Sequence, residues 1–191
     1  PVLAPHGMAS TSNPLSTQAA VTVLQNGGNA MDAALAACAV QAVVEPESTG
    51  IGGDCFCLYA EAGSDNIVAM NGSGRAPLEL SAEWLLEQGI TEIEQQSPHS
   101  VTVPTAIDAW TQLNRDYGSK PLSDLLQPAI GYARDGFPIS HRVAKDFAGC
   151  HDLLAGDTDI AGVYLKNGEN YKHGDRCSNP NLAKTLEAIA A

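Results

Sequence analysis

Arg75 is the only cation in the glycine-rich stretch Asn71-Gly72-Ser73-Gly74-Arg75-Ala76-Pro77, which follows directly on an apolar strand pattern. A guanidinium in such a loop offers a planar fork of donors that binds a carboxylate through two hydrogen bonds. It can equally tie the loop to a nearby carboxylate or carbonyl. Ser73 reads more readily as a turn residue than as a substrate contact. A second glycine cluster lies upstream, in Glu45-Pro46-Glu47-Ser48-Thr49-Gly50-Ile51-Gly52-Gly53-Asp54-Cys55-Phe56. Backbone N–H groups at Gly50, Gly52 and Gly53 could cradle an anion, although such clusters more often permit a sharp turn or close backbone packing. Asp54 either caps backbone amides in its own glycine loop or faces a site.

Other reactive side chains carry weaker signals. Cys55-Phe56-Cys57 puts two thiols on one strand face, but no second cysteine pair or histidine stands at ligand spacing, so core cysteines are favoured over a metal site. Cys150 and His151 are adjacent, a spacing that seldom lets thiol and imidazole face each other. His6, His99, His141 and His173 are scattered. Gly50-Ile51-Gly52-Gly53 precedes a strand rather than a helix, so a dinucleotide-binding turn fails on context. Neither metal nor cofactor is expected.

The elements that position these loops follow from local signals. Gly7–Thr11 has the small residues of a short strand. Asn13 caps a first helix with Pro14 at its first position, and Leu15, Ala19, Ala20, Val23 and Leu24 form its apolar stripe up to Gly27. Asn29 caps a second helix with Asp32 in its first turn, where a carboxylate suits the helix dipole. From Ala30 to Val44 this helix is apolar nearly all round, which predicts burial on both sides, and Pro46 ends it. Strands are predicted over Cys55–Ala60 and Ile67–Met70, with a polar turn between them. Short helices follow at Ser81–Gln88 and Thr105–Tyr117, after a strand at Val101–Val103. A helix over Leu122–Asp135 is expected to break at Pro128, and Ser140 caps another. Asp152–Asp175 is polar and poorly periodic, and a last helix runs from about Asn181.

Composition narrows the function classes. The 191 residues are enough for one domain with a sizeable core, or for part of a larger one. A formal charge of −12, with no basic run, argues against a nucleic-acid partner. The longest apolar run, in Ala33–Val44, is shorter than the ~20 residues of a membrane span, so no membrane partner is expected. Five cysteines, an odd number in a chain of this size, suit reduced and mostly buried thiols, which leans toward the cytoplasm. The start lacks a methionine and a basic segment and looks trimmed or processed, so periplasmic or secreted forms stay open.

Taken together, Gly27-Gly28-Asn29-Ala30-Met31-Asp32-Ala33 and Glu45–Phe56 resemble the N-terminal part of the gamma-glutamyltranspeptidase family of N-terminal-nucleophile hydrolases. The resemblance extends over most of the chain: Asn13-Pro14-Leu15-Ser16, Val101-Thr102-Val103-Pro104 with Thr105 in place of the family's glycine, Leu125–Ile130, Asp135–Ser140 and Pro180–Ile189. It implies an α+β fold, the four-layer αββα sandwich of the N-terminal-nucleophile hydrolase type. This chain would represent it only in part, with residues 1–191 as the N-terminal portion of the large subunit of a single domain. Family members are precursors that cleave themselves, and the new N-terminal threonine of the small subunit is the nucleophile. The resemblance therefore places no catalytic residue in this chain, which would be inactive alone and partnered by the small subunit. A higher oligomer is left open.

One departure bears on substrate. Typical glutamyl-transferring members carry Arg-Glu-x-Ala-Pro in the second loop, and that arginine holds the substrate's α-carboxylate. Here Ser73 stands at its place and Arg75 two residues later, while Asp54 follows Gly53 where those members continue with glycine. Gly-Ser-Gly-Arg-Ala-Pro and Gly-Ile-Gly-Gly-Asp look like the transpeptidase-like branch that includes oxamate amidohydrolases. The resemblance then implies an amide-cleaving hydrolase or acyltransferase acting on a small carboxylate-bearing amide, with Arg75, Ser73 and Asp54 as substrate-binding candidates. The alternatives are true gamma-glutamyl transfer or hydrolysis of glutathione, and a non-catalytic structural subunit or truncated remnant.

Overall fold

The computed structural model describes residues 2–191. Its elements run α1 (Pro14–Gln25), α2 (Ala30–Val44), β1 (Cys55–Ala60), β2 (Ile67–Gly72), α3 (Ala82–Glu87), α4 (Ala106–Tyr117) and α5 (Leu122–Asp135). They continue with β3 (Phe137–Pro138), α6 (His141–Gly149), α7 (His151–Ala155), α8 (Thr158–Tyr164), β4 (Leu165–Lys166), β5 (Glu169–Asn170), β6 (Arg176–Cys177) and α9 (Pro180–Ala190). The strands pair in three two-stranded antiparallel sheets, β1–β2, β3–β6 and β4–β5. The chain divides into two units: residues up to Gly50 together with Asn114–Ala191, and Ile51–Leu113. No helix among the described residues is long and apolar enough to cross a membrane.

In the first unit α2 packs against α1 and α5, and α5 against α9. The start of α1 is as its sequence predicts: Pro14 occupies the first turn and Asn13 Oδ1 accepts from Leu15 N at 3.0 Å. The turn into α2 needs both its glycines. Gly27 has φ +78°, and a Cβ on Gly28 would lie 2.5 Å from the Val23 side chain. Asn29 and Asp32 then form a reciprocal cap, with Asp32 N donating to Asn29 Oδ1 at 3.0 Å and Asn29 N to Asp32 Oδ2 at 2.8 Å.

Several predicted features differ in the structure. Gly7–Thr11 forms no strand. Most of α2 is buried, but Ala30, Ala34 and Cys38, four residues apart, stay exposed along one stripe. Pro128 does not break α5, which runs through it. One missing N–H is outweighed there by a buried face of Leu125, Leu126, Ala129, Ile130 and Ala133. Of the five cysteines only Cys177 is buried, and Cys38 and Cys150 are exposed, so the expectation of mostly buried thiols does not hold.

Past α2, the carboxylate of Glu47 is buried with no hydrogen-bond partner among the described residues. Burial holds its carboxyl above the ordinary range. Its own backbone N–H, outside hydrogen-bond geometry, and Arg142 offset this in part, while Glu45 and Asp146 add to it. The folded state thus binds the proton more tightly than the unfolded chain, so Glu47 favours folding at low pH and ceases to as pH rises through its folded pKa. We predict that Glu47→Gln raises stability at pH 7 by about 1 kcal/mol and that the gain vanishes near pH 4. Thermal unfolding of the full-length protein at both values checks this, and a variant less stable than wild type at pH 7 would refute it.

The second unit is built on the β1–β2 hairpin, paired from Cys55↔Gly72 to Ala60↔Ile67. Its alternation turns Cys55, Cys57 and Tyr59 to one face and leaves Phe56, Leu58 and Ile67 exposed on the other. Helix α3 starts where Ser81 Oγ accepts from Trp84 N and ends at Gly89, φ +74°. Val101–Val103, predicted as a strand, joins no sheet, although Val103 N donates across to Arg75 O at 3.0 Å.

Candidate functional site

All three candidate residues lie in the second unit, where its two glycine-containing loops meet. Asp54 precedes β1, and Ser73 and Arg75 follow β2; because β1 and β2 pair at Cys55↔Gly72, these ends are neighbours. Asp54 Oδ1 accepts from Gly74 N at 3.1 Å. Asp54 therefore caps an amide of the second loop, not of its own glycine loop as the sequence suggests. Ser73 N donates to Asn71 Oδ1 at 3.0 Å, an Asx turn that makes Asn71 the turn-forming side chain.

Arg75 is fixed through its backbone, its carbonyl accepting from Val103 N. Its side chain is exposed, and no ion pair or hydrogen bond holds it among the described residues. The bland alternative, that Arg75 ties the loop to a neighbour, has no contact to support it. The loop thus presents a guanidinium on a backbone pinned at Gly74 and Arg75.

Two glycines make this approach possible. A Cβ on Gly72 would fall 2.7 Å from both the Ala109 Cβ and the Cys55 carbonyl oxygen, and one on Gly74 only 1.7 Å from the Val103 carbonyl oxygen. Gly52 and Gly53, by contrast, have open space where a Cβ would stand and no positive φ, and so does Gly50. The chain turns at Ile51 and Gly52 and bends at Gly53, as expected, but neither crowding nor backbone conformation makes glycine necessary there.

Thr105 is the positioning residue that the sequence did not disclose. Its N and that of Ala106 donate to Gly53 O at 3.2 and 2.9 Å, and its hydroxyl donates to Gly72 O at 2.6 Å. One residue at the start of α4 thereby joins both loops. A threonine just before a helix and after Pro104 was the available signal, but its partners are distant in sequence.

Burial raises the Cys55 thiol above its ordinary range, helped by Cys57, and raises Cys57 as well, which suits protonated structural thiols rather than nucleophiles. Among the described residues no group of three or more His, Cys, Asp or Glu side chains could hold a metal ion.

The family model for gamma-glutamyltranspeptidase matches residues 16–191. The chain belongs to the gamma-glutamyltranspeptidase family. It is 35% identical over 190 residues to the glutathione hydrolase-like YwrD proenzyme of Bacillus subtilis (strain 168), covering 99% of this chain and 34% of that protein. It is 34% identical over 192 residues to the oxamate amidohydrolase proenzyme of Klebsiella pneumoniae, covering 97% and 36%. The crystal structure of Helicobacter pylori gamma-glutamyltranspeptidase superposes with a TM-score of 0.88 at 29% identity, over 100% of this chain and 56% of that one. The chain spans about a third of the length of these curated relatives. Its fold is the N-terminal-nucleophile hydrolase fold, represented in part, and the matched stretch is the N-terminal part of the large subunit.

Proposed function

We propose that the full-length protein of this family member cleaves the amide bond of a small carboxylate-bearing substrate, by hydrolysis or acyl transfer. The nucleophile would be the N-terminal threonine of a small subunit released by self-cleavage, and residues 1–191 the N-terminal portion of the large subunit's single domain. The observation that carries this is the exposed Arg75 guanidinium on a loop clamped by Asp54 and Val103. Arg75 would hold the substrate carboxylate bidentately. Asp54 would set the loop, and the Ser73 hydroxyl would reach the same anion. The relative named for oxamate amidohydrolysis supports an amide with an adjacent carboxylate.

Hydrolysis of glutathione is the second reading, favoured by the name of the Bacillus subtilis relative. The serine at position 73, where glutamyl-transferring members carry their carboxylate-binding arginine, weighs against it.

Arg75→Ala is expected to raise KM for oxamate by about 10- to 100-fold, the equivalent of ~1.5–3 kcal/mol for charge-assisted hydrogen bonds, with self-cleavage intact. Steady-state kinetics on the processed protein measures it, and an unchanged KM would take Arg75 out of the site. Mass spectrometry should find a second polypeptide beginning with Thr. A preparation that never yields one would favour a non-catalytic structural subunit.

A further inference from the structure

The chain leaving Arg75 leads into a pocket that the carboxylate-binding role leaves unexplained. Pro77, Leu80, Trp84 and Pro98 form its apolar walls, and Glu79 and His99 bring polar groups to it. Its volume, about 500 Å³, falls within the range of small-molecule sites. All six residues belong to the second unit.

The walls are held by local structure. Pro77 O accepts from Leu80 N at 3.0 Å, turning the chain so that Leu80 precedes the Ser81 cap of α3. Trp84, on the first turn of α3, meets the His99 ring edge-on with centroids 5.6 Å apart. His99 sits in a short 3-10 turn over Pro98–Ser100, capped by Ser97. The Arg75–Val103 hydrogen bond then ties the two segments together beside the pocket. Pro77 is two residues from Arg75, so their Cα atoms are no more than about 7.6 Å apart. The first wall of the pocket thus stands beside the Arg75 backbone, which is the ground for assigning both to one substrate.

The lining specifies what that end is. Trp84 remains 40% exposed, so its indole offers an aromatic surface for stacking or for a cation. Glu79 adds a carboxylate beside it, in a protein whose net charge is −12. An anion is disfavoured in such a pocket, and an apolar group bearing an amine is favoured.

We propose that this pocket binds the amine-side substituent of the substrate: an aromatic or branched aliphatic group that carries an ammonium of its own beyond the amide, the ammonium held by Glu79 and the apolar part lying against Trp84. The assignment builds on the amide-cleaving reading and divides the substrate between two places, its carboxylate at Arg75 and its amine-side substituent at Trp84. It accounts for an apolar pocket that oxamate, with a bare amide nitrogen, would leave empty.

Benzylamine, an ammonium at pH 7, tests the pocket without turnover. Its binding to the processed full-length protein is followed by ligand-observed NMR, with benzyl alcohol as the uncharged comparison. Saturable binding is expected, weakened about five- to ten-fold by Trp84→Ala, weakened similarly by Glu79→Gln or by replacing the amine with the alcohol, and unchanged by Arg75→Ala. Because Glu79 is exposed, Glu79→Gln keeps the test valid should Trp84→Ala misfold. Absence of saturable binding, or binding indifferent to both Glu79→Gln and the alcohol, overturns the proposal. A failed Arg75 prediction leaves these outcomes unaffected, so the two readings fail separately.

Discussion

Asp32→Asn is expected to lower the stability of the folded protein by about 2–4 kcal/mol, because it places an amide NH2 where a carboxylate accepts four hydrogen bonds, three of them from backbone N–H groups. Asp32 is fully buried at the start of α2. Its Oδ1 accepts from Ser119 N at 2.9 Å and Lys120 N at 3.2 Å, and its Oδ2 from Asn29 N at 2.8 Å and the Ser119 hydroxyl at 2.5 Å. Turned one way, the asparagine NH2 faces the Ser119 and Lys120 N–H groups; turned the other, it faces the Asn29 N–H, and only the Ser119 hydroxyl can rotate to accept from it, so at least one buried donor is left unsatisfied.

The same geometry fixes the pH dependence. Burial alone would raise the Asp32 carboxyl. The hydrogen bonds from the Ser119 side chain and from the Asn29, Ser119 and Lys120 backbone more than offset it, and the group is held below its ordinary value. Its contribution is therefore complete above the unfolded pKa of about 3.9 and lost as pH falls through the lower folded pKa. Denaturant unfolding of the full-length protein from pH 7 to pH 2 should show wild type losing stability in acid while Asp32→Asn changes less. A loss under 1 kcal/mol at pH 7 would mean that the network does not hold the first unit together.

Asp32 also shows where sequence legibility stops. Its cap with Asn29 spans three residues and could be read from spacing, as could the caps at Asn13 and Ser140, which the structure bears out. Its bonds to Ser119 and Lys120 span 87 and 88 residues and left no local trace. The α5 break at Pro128 was misjudged for a related reason: the proline rule weighs one lost hydrogen bond but cannot see the buried face that outweighs it. The hairpin β4–β5 was legible and overlooked. Asn167 and Gly168, with φ +56° and +83°, form the paired positive-φ turn that an Asn-Gly dipeptide signals between two strands.

At the candidate site, residue types were legible and partners were not. Arg75 stood out because a cation in a glycine loop is chemically conspicuous. That Asp54 reaches across to Gly74, and that Thr105 joins both loops, depends on the pairing of Cys55 with Gly72 and on where α4 begins. The glycines were the least legible. Gly50, Gly52 and Gly53 drew attention by clustering, yet the crowded positions are Gly72 and Gly74.

That contrast yields the second large effect. Gly74→Ala is expected to disrupt the loop and to raise KM for an anionic amide at least as much as Arg75→Ala does, whereas Gly52→Ala should be within about 0.5 kcal/mol of neutral. An added Cβ at position 74 would stand 1.7 Å from the Val103 carbonyl oxygen and 2.8 Å from its carbon. Both are backbone atoms, so no rotamer change relieves the clash and one strand of chain must move. The bonds at stake are Gly74 N to Asp54 and Val103 N to Arg75 O, and overpacking of this kind costs roughly 1–3 kcal/mol. Movement carries the guanidinium away from the position its backbone sets, so binding should suffer without any change to Arg75 itself. Amide hydrogen exchange at Val103, measured beside KM, separates this cause from general unfolding: protection should be lost there while the amides of α2 and α5 keep theirs. If Gly74→Ala retained both Val103 protection and the wild-type KM, the clamp between the loops would not be what holds Arg75 in place.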